Sequence, residues 1–245
     1  MKINYKIINP KGNITALVLN KVKRAEYSQI NKKIMQQEEN LEQCAFIKKV
    51  KDDYVWFDMA GLEFCGNATR AVAYYANKVL QVKKPIIKTC GLTIKSEITN
   101  QNSKIILNKN SLIKNVKTIS HNEMVVYMKG ITHIVISENS RFYKREATKD
   151  YVKNIISLFK IKTNAVGVIF LSNQNEITPI VWVKNISTFF YETACVSGSI
   201  ACAIFLGKSS DIIQPSTAIY RVEITPKELI VNGECEFLNS GYVVI

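Results

Sequence analysis

The chain has 245 residues, 47% of them hydrophobic, and a net charge of +13, which allows one large domain or two of about 120 residues, each with its own core. The charge raises nucleic acid as a partner, but the lysines are spread over the whole length with no basic run longer than two, which reads as a solvated surface and no nucleic-acid partner. Six cysteines without Cys-x-x-Cys spacing and two histidines argue against a metal site, and the lack of a signal segment or of an apolar run of about 18 residues argues for no membrane partner and for free thiols in a cytoplasmic setting.

Residues 2–8 alternate as a strand, Asn9-Pro10-Lys11-Gly12 reads as a turn, and 14–19 as a second strand. Helical spacing follows over 25–38, then strands over 45–50 and 54–59 and a helix from Cys65 to about 82. Strands over 86–89, 92–98 and 104–107 lead into a polar stretch, 108–120, that is the expected domain boundary. The order then repeats: β-rich 123–137, an amphipathic helix over 148–160, a hairpin of 166–171 and 177–183, a helix from Cys195 to near Gly207, and a strand meander over 218–245. The expected organisation is a first domain of residues 1–115, rejoined by a C-terminal strand at about 239–245, and a second of 116–238.

Each half therefore carries a cysteine at the head of a helix, in Glu63-Phe64-Cys65-Gly66-Asn67-Ala68-Thr69 and in Thr193-Ala194-Cys195-Val196-Ser197-Gly198. A thiol in a first helical turn meets unpaired backbone N–H groups and the positive dipole end, which favour thiolate and can hold an anion. A doubled arrangement can aim both helix ends at one cleft between domains. Two thiols across one carbon match what racemisation needs: one group removes an α-proton from one face while the other returns a proton to the opposite face. A free thiol pKa of about 8.5 makes both protonation states accessible.

The first motif resembles that of the diaminopimelate epimerases, cofactor-independent two-cysteine racemases, and the second resembles theirs after it; Gly12-Asn13 and Thr132-His133 are similar to two further family pairs. Closer still is a resemblance to the histidine racemases that feed opine-type metallophore synthesis, through Asn9-Pro10-x-Gly12-Asn13-x-Thr15, Glu42-Gln43-x-x-Phe46-Ile47, Gly61-x-Glu63 to Thr69, and Tyr191-Glu192-x-x-Cys195-x-Ser197-Gly198. That resemblance implies an α+β fold of two pseudo-symmetric diaminopimelate epimerase-like domains, each a central helix wrapped by strands with the active site between them. It implies an isomerase acting on a small amino acid without a cofactor or metal, as a monomer or homodimer. Cys65 and Cys195 would be catalytic, and Asn13, Glu42, Gly66, Asn67, His133, Glu192, Val196 and Ser197 would bind substrate.

Two departures bear on the substrate. Diaminopimelate epimerases carry Glu-Arg-Gly and a glycine-rich spacer before the second cysteine, the arginine gripping a distal carboxylate. Here Glu192 leads at once to Thr193-Ala194-Cys195, so a distal carboxylate would lie buried without a partner. Val196 replaces the usual glycine and narrows the pocket beside a carboxylate held by backbone N–H. Glu42 is the expected partner of an imidazole ring. Glu192 either holds the substrate amino group or caps its helix; His133 reads as a hydrogen-bonded strand-end residue that could also line the pocket. Cys44, Cys90, Cys202 and Cys235 read as core thiols. Racemisation of another amino acid, diaminopimelate included, and a thiol redox or small-molecule binding protein stay open at this point.

Overall fold

A computed structural model describes all 245 residues. The first half runs β1 (Lys2–Asn9), β2 (Thr15–Val18), α1 (Tyr27–Gln37), β3 (Gln43–Lys51), β4 (Tyr54–Met59), α2 (Gly66–Lys78), β5 (Ile86–Thr89), β6 (Leu92–Thr99) and β7 (Asn102–Asn108). A single helical turn, α3 (Lys109–Leu112), leads to β8 (Ile113–Thr118), β9 (Glu123–Met128), β10 (Ile131–Ser137), α4 (Lys149–Leu158), β11 (Ala165–Leu171) and β12 (Ile177–Val183). Then come β13 (Thr188–Tyr191), α5 (Val196–Leu206), β14 (Ser210–Ile213), β15 (Ile219–Ile224), β16 (Glu228–Asn232) and β17 (Glu236–Val244). The α+β class expected from the sequence is the class observed.

The two halves repeat one construction. β2 runs parallel to β3 across helix α1, and β10 runs parallel to β11 across helix α4; each pair is the crossover that parallel pairing demands. Helices α2 and α5 are the inner ones. Nearly every residue of α2 from Gly66 to Ala76 is buried, and the first eight residues of α5 are buried likewise. A helix buried on all sides needs cover all round, so strands wrap each: α2 packs on β2 and β4 to β7, α5 on β10, β11 and β14 to β16. One apolar cluster of 45 residues spans both inner helices, while smaller ones lie under α1 and α4.

Hydrogen bonding and packing divide the chain differently. An eleven-stranded sheet has the order β14-β15-β16-β7-β6-β5-β4-β3-β2-β1-β17, and a six-stranded sheet the order β13-β12-β11-β10-β9-β8. Residues 210–232 thus wrap α5 yet join the first sheet through β16 and β7. β17 returns to β1. The polar stretch at 108–120 holds strand β8, whose outward residues and edge position leave no apolar alternation to mark it. β13 and β14, four residues each, carry too short a pattern to stand out from loop.

Arg70 is fully buried on α2 and meets no carboxylate. Its guanidinium donates to the carbonyls of Pro10, Ser103 and Glu234 at 3.3, 3.1 and 2.8 Å, and lies over the Tyr220 ring at 4.7 Å. Tyr220 in turn donates to the Pro10 carbonyl at 2.8 Å. These bonds fix the turn before Asn13 against the helix that carries Cys65. Arg70→Met takes the guanidinium from the Ser103 and Glu234 carbonyls, leaves Pro10 with the Tyr220 hydroxyl alone, and is expected to lower unfolding free energy by about 3–5 kcal/mol in urea titration.

Candidate active site

Each cysteine is the N-cap of its inner helix, with extended backbone and a sulfur that accepts a first-turn N–H: Cys65 Sγ from Ala68 at 3.4 Å, Cys195 Sγ from Gly198 at 3.3 Å. The hydroxyl four residues on also repeats, Thr69 Oγ1 donating to the Cys65 carbonyl at 2.8 Å and Ser199 Oγ to that of Cys195 at 2.7 Å. The N–H groups of Gly66, Asn67, Val196 and Ser197 have no intrahelical acceptor, as at any helix start. All six cysteines are free.

Both sulfurs border one cavity between the inner helices, lined also by Asn13, Glu42, Gly66, Asn67, Glu192, Val196 and Ser197. At about 40 Å³ it holds a few waters and no amino acid. The two halves must part to admit a substrate. Polar contacts hold them shut: Asn13 N donates to Thr193 Oγ1 at 2.8 Å, Asn13 Nδ2 to Glu192 Oε1 at 3.0 Å, and Asn67 Nδ2 to the Ala194 carbonyl at 2.9 Å. Asn13 adopts φ of +57°, a left-handed conformation that asparagine tolerates.

Some expected residues stand differently from their anticipated places. Glu42 lines the cavity, but Thr193 takes both its oxygens, through the backbone N–H at 3.0 Å and the hydroxyl. It therefore works as a latch between the halves in this closed state. His133 does not line the cavity. It is fully buried on β10, opposite Gly167 of β11 where a Cβ would strike its ring at 2.3 Å, and neither ring nitrogen has a hydrogen-bond partner. Burial pulls its pKa down to about 3, so the ring is neutral. Cys90 is only partly buried and bonds the Leu62 carbonyl rather than lying in the core. Cavity residues that the sequence did not single out are Gln43 and Glu63, along with an apolar wall that includes Phe64, Ile131, Val181, Val183 and Phe190. Gln43 adjoins Glu42 in a recognised motif, but a polar side chain on a strand carries no mark of which group it meets.

Three carboxylates and no lysine or arginine line the cavity. Burial raises the Glu192 pKa to about 8, with the Glu42 charge adding to it, and burial raises that of Glu63 to about 7. Burial pushes the Cys65 thiol up to about 12 and Cys195 well above its usual value, the Glu192 charge reinforcing both. In this buried cavity the helix dipoles do not offset desolvation. A cation entering beside Glu192 would lower both thiols.

These values set a stability trend. A carboxyl whose folded pKa lies above its unfolded value binds its proton more tightly in the native state, so its contribution is complete below about pH 4.5. It is lost as pH rises towards 7 and 8 for Glu63 and Glu192. Tm of the substrate-free protein is expected to fall between pH 5 and 8, with a shallower slope in Glu192→Gln; an unchanged slope in that variant would remove Glu192 as a source.

Val196 lies against Gly66, where a Cβ would sit 2.3 Å from Val196 Cγ1. The valine's bulk is thus accommodated by the missing side chain across the cleft, and its backbone N–H stays available. Gly66→Ala is expected to hold the helix ends apart and reduce turnover about a hundredfold, since a 1 Å misplacement has that effect. Adding Val196→Gly should restore most of the loss; a double variant as slow as Gly66→Ala would show that the two residues are uncoupled.

The family model described as the histidine racemase CntK N-terminal domain matches residues 2–219. A histidine racemase of Fusobacterium nucleatum is 28% identical over 97% of this chain and 95% of its own. Among solved structures, a phenazine biosynthesis protein of the PhzF family from Bacillus anthracis superposes with a TM-score of 0.65 at 13% identity, each chain covered completely. A hydroxyproline epimerase from Agrobacterium vitis gives 0.58 at 7% identity, over 99% of this chain and 91% of that one. The structural likenesses establish the shared diaminopimelate epimerase-like fold, and the match over most of the chain decides the rest: this protein belongs to the histidine racemase family.

Proposed function

We propose that the chain interconverts L- and D-histidine, with Cys65 and Cys195 acting on opposite faces of the α-carbon. The observation that carries this reading is the cavity itself: two helix-capping thiols, three carboxylates and no basic side chain. Such a lining rejects a second carboxylate on the substrate, because no cation is there to pair with it. It favours an ammonium group and an imidazole.

In this reading the substrate α-carboxylate lies between the helix ends, taking N–H donors from Gly66, Asn67, Val196 and Ser197. Those donors strengthen their hold as charge moves onto the carboxylate during proton removal. The ammonium group sits by Glu192. Glu42 is engaged by Thr193, whereas Glu63 Oε2 has no partner, so Glu63 is the better placed acceptor for an imidazole N–H. One sulfur, as thiolate, takes the α-proton and becomes a thiol. The opposite thiol gives its proton to the other face of the planar carbanion and becomes a thiolate. The sum leaves the enzyme with one proton on the pair, and reversal exchanges the roles. Closing of the halves removes water, which strengthens each of these contacts.

The test is incubation of reduced protein in D₂O with single L-amino acids, following α-deuteration and optical rotation. Histidine alone should exchange and racemise, and Cys65→Ser and Cys195→Ser should each lose at least about a hundredfold. Exchange with no amino acid, or undiminished rates in both variants, would overturn the reading.

A further inference from the structure

The two thiols have different neighbours. Cys195 Sγ lies 3.6 Å from the Ser197 hydroxyl, while the Glu192 charge reaches both sulfurs. Cys65 has the amide of Gln43, whose Oε1 lies 3.1 Å from Sγ. What lies behind Gln43 fixes which end of that amide faces the sulfur. Gln43 Nε2 donates to Thr15 Oγ1 at 2.8 Å, and the single hydroxyl proton of Thr15 goes to the Asn13 carbonyl at 3.0 Å. Thr15 is fully buried, with no solvent to replace a lost bond. With its proton committed, the hydroxyl can only accept from Gln43, so the amide nitrogen faces Thr15 and the amide oxygen faces Cys65. The opposite rotation would donate to a thiolate and favour it, but would take Thr15 from Asn13. A carbonyl oxygen accepts an S–H and repels an S⁻.

We propose that Gln43, locked by Thr15, is a positioning residue that keeps Cys65 as the proton-bearing thiol in the substrate-free cleft, making the two sulfurs unequal before substrate arrives. The base is then Cys195, which gives its proton to solvent when a substrate ammonium offsets the Glu192 charge. The enantiomer that presents its α-hydrogen to Cys195 meets a ready enzyme. Its turnover moves the substrate proton to Cys195 and the Cys65 proton to carbon, leaving a Cys65 thiolate against the Gln43 carbonyl. A proton must pass from Cys195 to Cys65, through solvent, before another turnover in that direction. The same residue, Asn13, donates from its side chain to Glu192 Oε1 at 3.0 Å.

The inference rests on the two-thiol reading, yet it is tested without turnover and so separately from the D₂O exchange. Reduced, substrate-free protein is labelled with iodoacetamide across pH 6–9, and the rate at each cysteine is read by peptide mass spectrometry. Below its pKa a thiol labels in proportion to its thiolate fraction. Gln43→Met removes the acceptor; Thr15→Val removes the lock and frees the amide to turn its nitrogen to sulfur. In both variants Cys65 should label about three- to tenfold faster relative to Cys195, the size expected for one net hydrogen bond. Cys44, the next residue along β3 and fully buried, reports loosening. An unchanged or lower Cys65 to Cys195 ratio in Gln43→Met overturns the proposal, as does a parallel gain at Cys44; a gain in Gln43→Met but none in Thr15→Val overturns the lock.

Discussion

Two positive helix ends brought face to face repel one another, and the rest of the site is built around that constraint. α2 and α5 meet with Gly66 against Val196 and with four unsatisfied N–H groups directed at the cleft. Such an arrangement lacks negative charge until an anion lies between the ends. Glu42, Glu63 and Glu192 stand around it and supply part of that charge. The side-chain bonds from Asn13 and Asn67 to the second half keep the ends together in the empty protein. A carboxylate bound at the junction would offset both helix ends at once.

The same charge arrangement separates substrates. With three acids and no lysine or arginine around the cavity, the helix ends are the cationic features a carboxylate could meet there. A substrate with a second acid would leave it unpaired. An ammonium group has the opposite fit: beside the acids it would lower the thiol pKa values that burial, reinforced by the Glu192 charge, holds high.

Pseudo-symmetry in the backbone does not extend to the chemistry. Caps, first-turn N–H bonds and the back-bonding hydroxyls of Thr69 and Ser199 repeat closely. The side-chain partner of each sulfur does not: the Gln43 amide on one side, the Ser197 hydroxyl on the other. A duplicated scaffold places two sulfurs about a common point, and the side chains that differ between the halves tell those sulfurs apart.

The order of elements, the two helix-heading cysteines, and Asn13, Glu42, Gly66, Asn67, Glu192, Val196 and Ser197 as neighbours of one site were legible in the chain. The elements and the two cysteines follow from turn, cap and apolar spacing acting over three or four residues, and the other site residues from the resemblance of the short motifs around them to a known family. β8, β13 and β14 were not legible, because an exposed edge strand or a four-residue strand has no periodicity of its own. Nor could the sequence show that Glu42 is held by Thr193, 151 residues away, that His133 faces Gly167 instead of the cleft, or that Gln43 turns its oxygen to Cys65. Local order in the chain determined which groups this protein possesses. Only the folding of distant segments onto one another decided which of those groups are free, because each hydrogen bond to a far residue removes a donor or acceptor that the sequence alone leaves open.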